Sequence, residues 1–305
     1  YEMSTAKAQI HKAKAFSHSL NQLNEGDELL IQFPMLHHSF FTTSLVKKAR
    51  RRGVKIYFII HDLDALRFMN GQAVPLKHRI RMKIQESGLL GAADGIIAHN
   101  PIMKSVLVDK GVEAGKIVSL GIFDYLIPNF QEKTGLTKNQ PIIVAGNLAQ
   151  EKAGYLYSLP AKPAYNLYGV GFDESRALAN ETYFGSFLPD ELPAALEGGF
   201  GLVWDGDSAK TCSGVFGEYL RYNNSHKASL YLASGFPLVV WKQSALSHFV
   251  LENGCGIAVE SLHDLKATID NLSDTDYQDL LENTKRVGKG IRDGHYLLTA
   301  LNNLK

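Results

Sequence analysis

Residues 221–241 read RYNNSHKASLYLASGFPLVVW. A polar turn, Asn223-Asn224-Ser225, leads into a run with helical apolar period, and Gly235-Phe236-Pro237 leads out of it into the β-branched strand candidate 237–241. Ser225 suits the N-cap and Gly235 the C-cap of that helix. Such a turn–helix–turn–strand unit is the repeating module of a parallel sheet covered by helices. His226 and Lys227 open the helix. A first helical turn offers unpaired N–H groups and the positive end of the dipole, a natural anion site. A lysine is disfavoured at that end and so requires compensation. Two readings follow: a solvated lysine at a helix start, or a point charge placed on phosphate.

Working outward, the same module recurs. Strand candidates are 28–32 (ELLIQ), 54–60 (VKIYFII), 95–98 (GIIA) and 117–120 (IVSL) in the first half. In the second half they are 141–145 (PIIVA), 164–168 (AYNLY), 182–185, 200–204 (FGLVW), 237–241 and 256–259 (GIAV). Amphipathic stretches separate them, among them 41–52, whose basic end complements a helix dipole. The polar stretch 131–140 (QEKTGLTKNQ) has no apolar period and reads as the interdomain linker. The expected fold is therefore α/β, with two Rossmann-like domains over 1–138 and 139–284. Their parallel sheets face each other across a ligand-binding cleft. Residues 275–304 are helical in period, and 285–305 are expected to return to the first domain. Because residues 1–24 read as helix and the chain opens on Tyr1, a first strand is expected upstream.

Composition narrows the function classes. A chain of 305 residues exceeds what one core usually serves. A net charge of +1 provides no field for nucleic acid. Cys212 and Cys255 are too few for a disulfide framework or a cysteine-rich zinc site, which fits a reducing, cytoplasmic setting; they read as packing residues. Apolar runs are strand-length, too short for a membrane span.

Further candidates sit where strands end. Gly146-Asn147 closes strand 141–145, and Lys152 follows within reach of a diphosphate. This is neither GxGxxG nor a P-loop. Asp62-Leu63-Asp64 and Asp205-Gly206-Asp207 also follow strands, and paired carboxylates can hold Mg²⁺ or Mn²⁺ against a diphosphate. The two triplets fall in different halves, and Asp207 reads as a surface turn or cap. His61-Asp62 ends the most apolar strand of the first half. A histidine beside a carboxylate can act as a general base; equally, Asp62 can cap the next helix. His37, His38 and His99 stand at loop starts.

The segments 198–207 (GGFGLVWDGD), 223–241 and 146–152 (GNLAQEK) together resemble bacterial glycosyltransferases of the two-Rossmann (GT-B) type. The IQFP segment at 31–34 and the strand ending in IIHD are similar too. Among such enzymes are glucosyltransferases that extend sugars on serine-rich adhesins and β-1,6-galactofuranosyltransferases of polysaccharide clusters. The resemblance implies a UDP-sugar donor held mainly by the C-terminal domain, an acceptor glycan, no obligatory metal, and a homo-oligomer. It implies that Gly146, Asn147, Lys152, Tyr183, Asn223, Asn224, Ser225, His226, Lys227 and Ser229 contact the donor, with Lys227 on the diphosphate. His61 and Asp62 are then the catalytic candidates on the acceptor side. Relatives often carry Pro where this chain has Ser225. The paired-glutamate motif of the large retaining GT-B family is absent, its places being held by Tyr222 and Leu230. Two alternatives remain: a nucleotide-sugar epimerase, releasing UDP without an acceptor, and a non-catalytic partner protein, which would not need both Lys152 and Lys227.

Overall fold

In a computed structural model, described over residues 6–35, 41–67 and 86–304, ten parallel strands form two separate sheets. They are β1 (Glu28–Phe33), β2 (Lys55–Ile60), β3 (Gly95–Ala98), β4 (Ile117–Ser119), β5 (Ile142–Asn147), β6 (Tyr165–Val170), β7 (Glu181–Tyr183), β8 (Phe200–Val203), β9 (Leu238–Trp241) and β10 (Gly256–Val259). Every strand candidate of the sequence is present, with ends that agree to within two residues.

The chain divides into one unit of Tyr1–Leu120 with Ala300–Lys305 and another of Gly121–Thr299. The division falls ahead of the polar stretch 131–140, because residues 121–125 are tied into the second unit. Asn224 Nδ2 donates to Gly121 O at 2.5 Å, and Tyr125 N–H donates to Ile291 O at 3.3 Å. Residues 285–292 also stay with the second unit. They continue helix Asp274–Arg292, whose Tyr277 hydroxyl donates to Gly199 O at 2.7 Å and whose Arg292 Nη1 donates to Ala233 O at 2.6 Å. Gly294, at φ +72°, ends that helix and lets His295–Asn303 begin as another, so the expected single helix is two.

The first unit's sheet runs β1-β2-β3-β4. β2 is buried from Ile56 to Ile60 and its neighbour β3 is buried throughout, the near-continuous apolar pattern of a sheet covered on both faces. Helix Thr42–Arg51 buries Thr42, Val46 and Ala49. Its basic end is partly structural: Arg50 pairs with Asp94 at 2.7 Å, and Arg52 Nη2 donates to Leu20 O and Leu23 O at 2.7 Å.

The second sheet has the order β10-β9-β8-β5-β6-β7. From β5 the chain winds outward through β6 and β7, then returns to the other side of β5 with β8. That reversal between β5 and β8 is the topological switch point of a doubly wound sheet, where ligands bind at the strands' carboxyl ends. Helix His226–Ala233 packs against this region and buries all of Ala228 to Ala233. Cys212 and Cys255 are both sealed in the second unit's core, and their burial raises both thiols, Cys255 to about 12.

Candidate functional site

Around the switch point, the end of β5, the turn after β8 and the start of helix His226–Ala233 converge. Gly146, next to last in β5, sits at φ +125°, a conformation that favours glycine. A Cβ added there would lie 3.6 Å from Lys227 Cε, so the lysine stem passes directly over this turn. Asn147 accepts the Ala149 N–H at 2.9 Å, which shapes the turn into helix Gln150–Ala153. Lys152, in that helix, has its ammonium 5.5 Å from the Phe216 ring centre. Its carbonyl accepts the Gly206 N–H at 2.8 Å, joining the first βα turn to the Asp205-Gly206-Asp207 turn.

Ser225 caps the helix as expected, its hydroxyl accepting from Lys227 N–H at 3.4 Å. The compensation that Lys227 requires comes from Asp205. Lys227 Nζ lies 2.7 Å from Asp205 Oδ1 and donates to Trp204 O at 3.2 Å. The lysine side chain is 11% exposed and the aspartate 8%. Lys227 is thus a largely covered, paired cation, and not the solvated lysine that was one of the two readings of its place at a helix start. Sequence reasoning named Asp205 only within a metal-binding triplet and missed it as the partner of Lys227; a lysine against the dipole calls for a nearby carboxylate, but nothing local says which one.

The other donor candidates divide. His226 is exposed and stacks on Phe123 at 4.1 Å between ring centres. Asn224 is buried and spends its amide on Gly121 O, so it orders the turn. Asn223 keeps its Oδ1 buried with no hydrogen-bond partner among the described residues. Tyr183 lies on β7, where its hydroxyl donates to Gly169 O at 2.7 Å. Gly169 pairs in register with Gly146, which places Tyr183 on the far side of the same strand-end corner. Ser229 is 0% exposed in the helix's inward face, so it has no surface to offer a ligand. This corrects its expected donor contact: two residues beyond Lys227 lies about half a helical turn away, on the core side.

In the first unit, His61 and Asp62 follow β2 directly, and both main-chain N–H groups donate to Phe33 O, at 2.7 and 3.4 Å. Burial lowers the His61 pKa, with the Asp62 charge opposing. Arg67 Nη2 bonds to Asp62 Oδ1 and lies 3.7 Å from Asp64 through Nη1. The Asp62-Leu63-Asp64 triplet is therefore gathered on an arginine. Asp207 likewise accepts from the Ser213 hydroxyl, as an exposed turn residue. No group of three His, Cys, Asp or Glu residues positioned for a metal occurs among the described residues. His99 is 1% exposed and its Nε2 meets Ile60 O at 3.0 Å, so despite its place at a loop start it is a core histidine. His37 and His38 lie outside the described residues.

The second unit thus presents a cation, a helix N-terminus and a glycine turn at a switch point, a combination suited to a phosphate ester. Comparisons with known proteins bear on the whole chain. Residues 142–304 match the family model described as "Glucosyltransferase 3-like, C-terminal domain", and residues 1–122 match its N-terminal counterpart. The chain is 34% identical over 285 residues to the β-1,6-galactofuranosyltransferase WbbI of Escherichia coli (strain K12), covering 92% of this chain and 79% of that one. In fold it resembles the sucrose-phosphate synthase of Thermosynechococcus elongatus, with a TM-score of 0.62 and 15% identity over 95% of this chain and 74% of that one. It also resembles Anabaena HepE, solved in complex with UDP-glucose, with a TM-score of 0.53 and 13% identity over 96% and 80% of the two chains. No helix among the described residues is long and apolar enough to cross a membrane.

Proposed function

Because the chain belongs to the glucosyltransferase 3-like family, we propose that its second unit binds the donor through Lys227, whose ammonium meets the diphosphate of a UDP-sugar. The protein is a GT-B glycosyltransferase that moves a hexose from a UDP-sugar to an acceptor glycan. The observation that carries the donor site is the position of Lys227: at a helix N-terminus, over Gly146, at the strand-order reversal. Amides of that helix and the lysine would stabilise the departing UDP, which is the electrostatic share of catalysis. Lys152, Gly146, Asn147, Asn223 and Tyr183 line the same strand-end region and complete the proposed donor set.

On the acceptor side the proposed base is His61. An acceptor hydroxyl is a poor nucleophile until a base takes its proton. Burial favours the neutral imidazole, the form that can accept one. Asp62, held by Arg67, fixes the loop that carries it. The donated hexose is glucose, N-acetylglucosamine or galactofuranose, and the acceptor hydroxyl belongs to a glycan on a glycoprotein or polysaccharide precursor. A cytoplasmic location, a homo-oligomeric state and independence of metal belong to the same reading. They rest on the family resemblance and, for metal, on the engagement of both Asp-x-Asp triplets by Arg67, Lys227 and Ser213.

Thermal unfolding with UDP, GDP and dTDP tests the donor. UDP at a hundredfold its dissociation constant adds about 2.7 kcal/mol of stability. A shift with UDP and smaller ones with the others is expected; equal or absent shifts overturn the assignment. Release of UDP from UDP-sugars only in the presence of an acceptor separates transfer from epimerisation.

A further inference from the structure

We propose that Asp205 is a positioning residue for Lys227 whose own negative charge limits how tightly UDP is retained. The inference rests on the reading of the second unit as the donor site.

An ammonium has three N–H donors. On Lys227 one goes to Asp205 Oδ1 at 2.7 Å and one to Trp204 O at 3.2 Å. Among the described residues the third is not assigned, and Cε runs over the exposed turn at Gly146. The pair is nearly closed off from water, at 11% and 8% side-chain exposure. The carboxylate also sits on backbone that has little room to move. Trp204 is fully buried, with its indole N–H donating to Ser208 O at 3.0 Å. A Cβ added to Gly217 would come within 2.8 Å of Asp205 O, so helix Gly214–Tyr219 packs directly against it.

A fixed carboxylate has two consequences. It holds the ammonium in one direction, which a flexible lysine stem does not do by itself. It also remains beside the lysine when a diphosphate arrives, so the incoming anion meets a cation already largely neutralised. Repulsion between a fixed carboxylate and phosphate a few ångströms beyond the lysine is worth roughly tenfold in affinity at a protein-like effective dielectric.

The test measures dissociation constants for UDP and for uridine, which lacks the phosphates. The proteins are the wild type, Asp205→Asn, Lys227→Met and the double variant. Asp205→Asn is expected to bind UDP several-fold more tightly. Lys227→Met loses about 100-fold, because it removes the cation and leaves the carboxylate facing the phosphates. The double variant recovers about tenfold of that loss, and uridine binding stays within about twofold throughout. A purely structural role for Asp205 predicts instead that uridine and UDP affinities fall together.

If Asp205→Asn folds poorly because it strands a buried cation, the double variant carries the comparison, since it contains no unpaired charge. A double variant that binds UDP no better than Lys227→Met overturns this inference alone. Unchanged UDP affinity in Lys227→Met overturns the donor-site reading, and this inference with it.

Discussion

The ring of Tyr231 fills the space in which Gly201 would otherwise carry a side chain: a Cβ there would lie 2.2 Å from Tyr231 Cγ. This contact seats helix His226–Ala233 against β8, and the Tyr231 hydroxyl accepts the Ala145 N–H at 2.6 Å to fix it to β5 as well. The helix that carries Lys227 is therefore set in place from below. Gly201→Ala should cost upward of about 3 kcal/mol in urea unfolding, through overpacking against a ring with nowhere to go. Tyr231→Phe should cost about 1–3 kcal/mol by leaving a buried N–H without its acceptor.

Lys227→Ala should weaken UDP binding by more than about tenfold. Its melting temperature should also fall, because Asp205 is then buried without a countercharge. The decisive reading is the ligand-induced shift. A variant that is still stabilised by UDP as strongly as the wild type would return Lys227 to a structural role.

His61 titrates below its usual 6.5 because burial disfavours the imidazolium more than Asp62 favours it. The unfolded chain then binds this proton more readily than the folded one. The stability contribution is complete above pH 6.5 and is lost as pH falls toward the lower folded value. The acid limb of kcat/KM should accordingly have its midpoint below 6.5. His61→Gln should lose about 10²- to 10⁴-fold in kcat at a near-normal melting temperature. A lowered melting temperature with kcat unchanged would make the residue a packing histidine.

Asp124 accepts the N–H groups of Tyr296 and Leu297, at 3.2 and 2.7 Å, at the start of helix His295–Asn303. Its pKa is raised, because desolvation outweighs these bonds. Asp124→Ala should lower stability by about 1 kcal/mol, while Asp124→Asn, which keeps an acceptor oxygen, should lose only part of that. Equal losses in both would assign the effect to charge and not to capping.

Turnover in excess EDTA should remain near its untreated rate. A loss restored by Mn²⁺ would show that one of the Asp-x-Asp turns exchanges its present partner for a cation.

Strands such as β2 and β8 were legible because burial on both faces writes an unbroken apolar run into the sequence, and the N-cap at Ser225 was legible because capping is local. The site was only half legible. Gly146 and Lys227 announced themselves by residue type at strand and helix ends. Asp205 did not, because its pairing spans 22 positions and no local rule links a post-strand aspartate to a particular helix. Ser229 was misplaced for a related reason: two residues beyond Lys227, about half a helical turn, the side chain points to the opposite face, and sequence proximity to Lys227 concealed this. The return of residues 121–125 to the second unit likewise depends on a distant amide, that of Asn224.

The two cysteines carry a practical consequence. Thiols react as thiolates, and Cys212 and Cys255 are enclosed and held strongly protonated. The native chain should therefore be nearly silent to maleimides. A single cysteine introduced at an exposed position such as Glu151 would then be the dominant labelling site on the folded protein, with no need to remove the native pair. A dye there, one residue before Lys152, would test the proposed donor site directly: a fluorescence change on adding UDP is expected, without a radiolabelled sugar and before any acceptor has been identified.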